Sequence, residues 1–166
     1  MVNIALVGCN GKMGKAVTSA VQSRNDCEIV FGADPFGTPA YDYPVFESLA
    51  VSDKKADVII DFSNPASLDD ILAYALEKKI PCVLCTTGYS PEQVEKIKKA
   101  SESVAVFYSG NMSLGINLLI ELSKEAAKIL GAADFDIEIV EKHHNQKIDA
   151  PSGTALMIAD GISDTL

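Results

Sequence analysis

From Val2 to Tyr108 the chain alternates short apolar runs with segments of helical period. Residues 2–7, 28–33, 57–62, 81–86 and 104–108 are compact runs of strand length, the third with Val58, Ile59 and Ile60 contiguous. A helix is predicted from about Lys12 to Ser23. Asn64 and Pro65 have the cap and first-turn chemistry of a second helix that runs to about Lys78. Ser90-Pro91-Glu92-Gln93 is a capping box with proline at the first helical position, and it opens a third. Strands apolar on both faces and separated by helices predict a parallel sheet covered on both sides, with right-handed crossovers. The fold class is α/β, a doubly wound, Rossmann-like sheet.

The pattern changes after Tyr108. Ser113 or Asn111 caps a longer helix that ends at Gly131, its apolar face carried by Leu114, Leu118, Leu119, Leu122, Ala126 and Ile129. Phe135, Ile137 and Ile139 then alternate with Asp136 and Glu138, as in a strand with one wetter face. The expected organisation is a first domain over residues 1–112 and the start of an α+β domain over 113–166. No internal repeat or low-complexity linker separates them.

Composition narrows the classes. A chain of 166 residues, 48% hydrophobic, suffices for one well-buried core and part of a second. The net charge of -9 argues against a nucleic-acid partner, which wants clustered Lys and Arg. No run reaches membrane-span length, and the N-terminus lacks a basic region before its short apolar stretch, so the cytoplasm is the expected location. Cys82 and Cys85 have C-x-x-C spacing but sit in an apolar run far from either histidine; a structural role is expected, and no metal.

Gly8-Cys9-Asn10-Gly11-Lys12-Met13-Gly14 joins the first strand to the first helix. Glycines there admit a tight turn and let backbone N–H groups at a helix N-terminus approach a pyrophosphate. A plain packing turn would use the same glycines. Asp34, just past the second strand, is placed to accept from the ribose hydroxyls of NAD and to repel a 2′-phosphate. No Arg or Lys lies between Asp34 and Ser52, which favours NADH; the competing reading is that Asp34-Pro35 merely begins a turn.

The densest chemistry is Glu141-Lys142-His143-His144-Asn145-Gln146-Lys147-Ile148-Asp149-Ala150-Pro151-Ser152-Gly153-Thr154-Ala155. Both histidines of the chain are here. Histidine exchanges protons near neutrality, and Lys147 can donate a proton or hold a carboxylate. If the preceding strand continued, His143 and His144 would face opposite sides. Pro151-Ser152-Gly153-Thr154 opens a helix whose first N–H groups suit an anion, or which is simply capped.

This segment resembles the E-x-H-H-x-x-K-x-D-A-P-S-G-T-A signature of the dihydrodipicolinate reductases. The glycine loop, Asp61-Phe62-Ser63, Thr86-Thr87-Gly88 and Asn111-Met112-Ser113-Leu114-Gly115 resemble that family's other motifs, in the same order. The resemblance implies reduction of 4-hydroxy-tetrahydrodipicolinate with NADH or NADPH. It implies that Gly8, Cys9, Asn10, Gly11, Lys12 and Met13 hold the pyrophosphate and Asp34 the ribose. Cys85, Thr86, Thr87, Ser109, Gly110, Asn111 and Met112 would line the nicotinamide side. His143 would be the general acid/base and Lys147 a proton donor, with His144, Gly153 and Thr154 binding the cyclic dicarboxylate. Cys85 stands where the family usually has Gly, and Met112 where it has Phe. The family continues past this chain's end with further strands, a closing helix and a homotetramer interface, so a C-terminal truncation is expected, either a fragment or a short form that is inactive alone. A non-catalytic nucleotide-binding module, redox-sensing or CoA-binding, is the alternative.

Overall fold

The structure is a computed structural model that describes residues 1–36, 41–145, 147 and 150–166. The chain divides into two compact units, Met1–Ser109 and Gly110–Leu166.

In the first unit β1 (Val2–Val7) is followed by α1 (Lys12–Gln22), β2 (Cys27–Ala33), β3 (Val45–Phe46), β4 (Val58–Asp61), α2 (Leu68–Lys78), β5 (Cys82–Leu84), α3 (Pro91–Ser101) and β6 (Val106–Tyr108). The strands form one sheet in the order β3-β2-β1-β4-β5-β6, and every pairing is parallel. The doubly wound expectation is therefore met. β1 lies inside the sheet, its alternate residues facing opposite sides. Ile4 and Leu6 join one core beneath α1 with Val17 and Val21, while Ala5 and Val7 join the larger core beneath α2 and α3 with Phe31, Ile59, Leu68 and Leu84. Each such aliphatic or aromatic side chain contributes about 1.5–3 kcal/mol by leaving water.

Local signals act as expected at several ends. Asn64 Oδ1 accepts from Ala66 N–H at 2.9 Å, although the first turn, Pro65–Ser67, is 3-10 rather than α. Ser90 and Gln93 make both bonds of the capping box, and Gln93 Nε2 also donates to Pro65 O at 2.6 Å, tying two helix starts together. β3 and a 3-10 turn at Leu49–Val51 have no counterpart in the sequence reading.

The second unit contains α4 (Leu114–Gly131) and α5 (Gly153–Ser163). α4 ends at Gly131 as expected, but the strand expected around Phe135, Ile137 and Ile139 is not formed: 135–144 is irregular and exposed. A strand needs a neighbour for its N–H and C=O groups, and among the described residues of this unit there is no other strand. Leu114, Ile129 and Val140 are 85%, 70% and 91% exposed.

Candidate functional site

The strand order reverses between β1 and β4, with β2 and β3 on one side and β5 and β6 on the other. Ligands of open α/β sheets bind outside the carboxyl ends of the strands at such a switch point. A cleft of about 560 Å³ opens there, lined by Gly8, Asn10 and Gly11 after β1, Asp34 after β2, and Phe62 and Ser63 after β4. That volume suits a bound cofactor.

The three loop glycines have different tasks. Gly8 has φ +76°, and a Cβ on it would lie 2.5 Å from the Phe62 carbonyl oxygen. A Cβ on Gly14 would lie 2.3 Å from Gly8 O and 2.5 Å from Cys9 Cα. These two glycines are demanded by the close approach of chain to chain. Gly11 is different: its nearest contact would be Gly8 O at 3.3 Å, and otherwise it borders open space. Gly11 is also the N-cap of α1, where no side chain caps the helix and no acidic residue stands in the first turn. The helix thus presents uncapped N–H groups, the arrangement that suits a phosphate.

Asp34 is held rather than loose. Its Oδ2 accepts from Asn10 N–H at 3.0 Å and its Oδ1 from Phe36 N–H at 2.9 Å, while Asn10 Nδ2 donates to Phe36 O at 2.6 Å. Asn10 thereby clamps the glycine loop to the turn after β2. Glu47 and Asp70 also line the cleft, and no Lys or Arg does among the described residues. The clamp was not legible in the sequence beyond the presence of an amide side chain inside the loop.

The other loop residues fall differently. Cys9 is fully buried and outside the cleft lining; its side chain crowds Gly32, and Tyr41 OH donates to Cys9 O at 2.8 Å. Lys12 and Met13 are exposed in the first turn of α1 and outside the cleft lining. Cys85 and Thr86 are buried beyond β5, and Thr87 is exposed. Ser109 N–H donates to Leu84 O at 3.1 Å. Burial first and the Asp61 charge second push the Cys82 and Cys85 thiols up to about 11. Among the described residues no group of three or more His, Cys, Asp or Glu is placed to hold a metal ion.

The second unit gathers the other expected residues. His143 Nδ1 lies 3.4 Å from Glu141 Oε2, and the other oxygen of Glu141 accepts from Ser152 N–H at 2.8 Å. Ser152 is buried and caps α5, its Oγ accepting from Ala155 N–H at 3.1 Å. Bonding to Ser152 first, then the nearby His143 and Lys147, holds the Glu141 carboxyl below the usual carboxylate range. Asn111 Nδ2 donates to Thr154 Oγ1 at 2.8 Å, and Gly153 borders open space. Gly110 and Met112 are exposed, as is His144, whose carbonyl accepts from Lys147 N–H at 3.2 Å. Gln146, Ile148 and Asp149 of the signature lie outside the described residues. Glu141 is the site residue to which sequence reasoning assigned no role, although it opens the quoted signature.

Residues 2–112 match the family described as dihydrodipicolinate reductase, N-terminus, and residues 115–166 match dihydrodipicolinate reductase, C-terminus. The chain belongs to the dihydrodipicolinate reductase family. It is 52% identical over 166 residues to a 4-hydroxy-tetrahydrodipicolinate reductase of Clostridium tetani (strain Massachusetts / E88), covering all of this chain and 65% of that protein. It is 49% identical over 166 residues to one from Caldanaerobacter subterraneus subsp. tengcongensis, again with 100% and 65% covered. A solved dipicolinate-bound dihydrodipicolinate reductase from Paenisporosarcina sp. TG-14 superposes with a TM-score of 0.75 at 30% identity, covering 99% of this chain and 66% of that one. The chain thus spans about two thirds of the length of these family members. Among its described residues no helix is long and apolar enough to cross a membrane.

Proposed function

We propose that this chain carries the cofactor cleft and the proton-transfer segment of an enzyme that reduces 4-hydroxy-tetrahydrodipicolinate to tetrahydrodipicolinate with NADH or NADPH, NADH being preferred. Residues 1–112 are the dinucleotide-binding domain and 113–166 the first part of the substrate domain. The observation that carries the reading is the Glu141 carboxylate, which faces His143 Nδ1 with one oxygen and the N-cap of α5 with the other.

In the cleft, the backbone of Gly8, Cys9, Asn10 and Gly11 and the first N–H groups of α1, at Lys12 and Met13, cradle the pyrophosphate. Asp34, held by Asn10, accepts from the adenosine ribose. Cys85, Thr86, Thr87, Ser109, Gly110, Asn111 and Met112 form the nicotinamide side. When bound, the dinucleotide supplies a hydride to the substrate ring. The two substrate carboxylates meet the N–H groups of Gly153 and Thr154, His144 and the Lys147 ammonium. Glu141 faces Nδ1 of His143, and the proton that His143 moves is assigned to Nε2. Lys147 is a second proton donor. Carboxylates in the adenosine cleft, Asp34, Glu47 and Asp70, disfavour a 2′-phosphate and support NADH over NADPH. A cytoplasmic location and a homotetramer at full length belong to the same proposal.

Steady-state kinetics on the full-length protein test it. His143→Gln lowers kcat roughly 10²–10⁴-fold with KM less affected, and Lys147→Ala damages both. Neither alters NADH affinity. Full activity in His143→Gln removes the assigned role and leaves the segment as a helix cap.

A further inference from the structure

Asp61, the last residue of β4, is the only charged side chain that is fully buried among the described residues. It makes no ion pair there. Its Oδ1 accepts from Ser63 N–H at 2.9 Å and from Ser63 Oγ at 2.5 Å, and its Oδ2 accepts from Tyr89 OH at 3.1 Å. One backbone N–H and two hydroxyls thus face its two oxygens, a set of partners that can hold a charged carboxylate. An isolated buried charge is costly unless something offsets it. Three neutral donors offset it in part, and a turn-holding role alone asks only for an acceptor, which asparagine would also supply.

The position of this charge suggests what completes it. The Phe62 and Ser63 backbone that continues from Asp61 lines the cleft and lies hard against Gly8. In doubly wound sheets each half of the sheet binds one half of a dinucleotide. Asp34 stands after β2, on the adenosine side; Asp61 belongs to the opposite half, with β5 and β6. Its field reaches that side: it is the second cause, after burial, of the raised Cys85 thiol and of the Tyr89 hydroxyl, pushed far above its ordinary range. Tyr89 packs edge-on against Tyr108 of β6 at 5.5 Å between ring centroids.

Given the proposed dinucleotide site, we propose that Asp61 makes the nicotinamide half of the cleft selective for the positively charged, oxidised ring. When the reduced ring gives up a hydride, which takes one hydrogen nucleus and two electrons to the substrate carbon, the ring is left with one positive charge. A fixed buried carboxylate stabilises that charge as it develops and so drives hydride donation. Asp61 does this at a distance, through its field.

The test is the ratio of affinities for NAD⁺ and NADH, measured by titration calorimetry on the 166-residue chain. Asp61→Asn keeps the acceptor for Ser63, and Tyr89 can turn to accept from the new amide. It should weaken NAD⁺ about tenfold while changing NADH by less than about threefold, the size expected of one charge acting over roughly 10 Å at an effective dielectric near 20. Tyr89→Phe, which removes a hydrogen bond and keeps the charge, should leave the ratio within about threefold; a purely structural network would lose both ligands alike in both variants. If Asp61→Asn does not fold, the unaltered chain decides with benzamide adenine dinucleotide, a neutral analogue of the oxidised cofactor, expected to bind about tenfold more weakly than NAD⁺. Equal affinity for the neutral analogue and NAD⁺, or an unchanged ratio in Asp61→Asn, overturns the role of Asp61 and leaves the cofactor site standing. No binding of either cofactor to the unaltered chain overturns both.

Discussion

Alanine at Gly11 and at Gly14 should separate what the glycine loop does for a ligand from what it does for the fold. At Gly14 a Cβ would stand 2.3 Å from one backbone oxygen and 2.5 Å from two further backbone atoms. To reach ordinary contact near 3.4 Å the loop must retreat by about 1 Å, and none of these atoms is the end of a flexible side chain. Alanine in a helix is worth about 1 kcal/mol over glycine, but overpacking on this scale costs about 1–3 kcal/mol or more. Gly14→Ala should therefore lower stability by about 1–2 kcal/mol and displace the loop, with NADH affinity falling by an order of magnitude or more. At Gly11 the added Cβ meets one oxygen at 3.3 Å and the backbone φ of -70° suits any L residue. Gly11→Ala should keep stability within about 1 kcal/mol of the parent yet weaken NADH at least about tenfold, because the methyl group enters the space where backbone and pyrophosphate meet. Urea unfolding and cofactor titration on both variants give the two numbers. Gly11→Ala with the parent's stability and the parent's NADH affinity would refute the reasoning and reduce the motif to a packing turn.

Three more outcomes follow from the same geometry. The chain should bind NADH more tightly than NADPH by titration; Asp34→Ala should narrow the difference, and tighter NADPH binding in the parent would remove Asp34 from the ribose. Cys9, Cys82 and Cys85 are held near 11 against an ordinary 9.0, so between about pH 9 and 11 the unfolded chain loses protons that the folded chain keeps, and stability should fall as pH rises through that window; a urea midpoint that is flat from pH 8.5 to 10.5 counts against it. Elemental analysis should find no stoichiometric zinc, and Cys82→Ala should leave cofactor affinity largely intact; zinc that is lost with that change would reverse the assignment.

Much of the first unit was legible because its signals are local. The strand-to-helix glycine loop, the Asn64 cap and the Ser90–Gln93 box each act within a few residues of chain. β3 was not, since two residues after Pro44 on a sheet edge leave no periodicity to detect. The run at 135–139 has strand periodicity and forms no strand, because alternation supplies a face but not a partner. The site shows the same division. Residue types and spacing pointed to His143, Lys147 and Asp34. The bonds from Asn10 to Asp34, from Glu141 to Ser152 and from Tyr89 to Asp61 join residues 24, 11 and 28 positions apart, and only the folded chain reveals them.

The place of β1 inside the sheet has a consequence for how the protein is made. Val2–Val7 leaves the ribosome before both of its parallel neighbours, Cys27–Ala33 and Val58–Asp61, so its two flanks cannot both be closed until Asp61 has been synthesised. Until then six mostly apolar residues with unpaired backbone are open to any passing strand. Parallel pairing across such separations is slow, and a nascent chain in that state depends on shielding from its neighbours on the polysome. The same arrangement makes β1 the least dispensable strand of the unit: deleting it removes the strand on which both halves of the sheet are built.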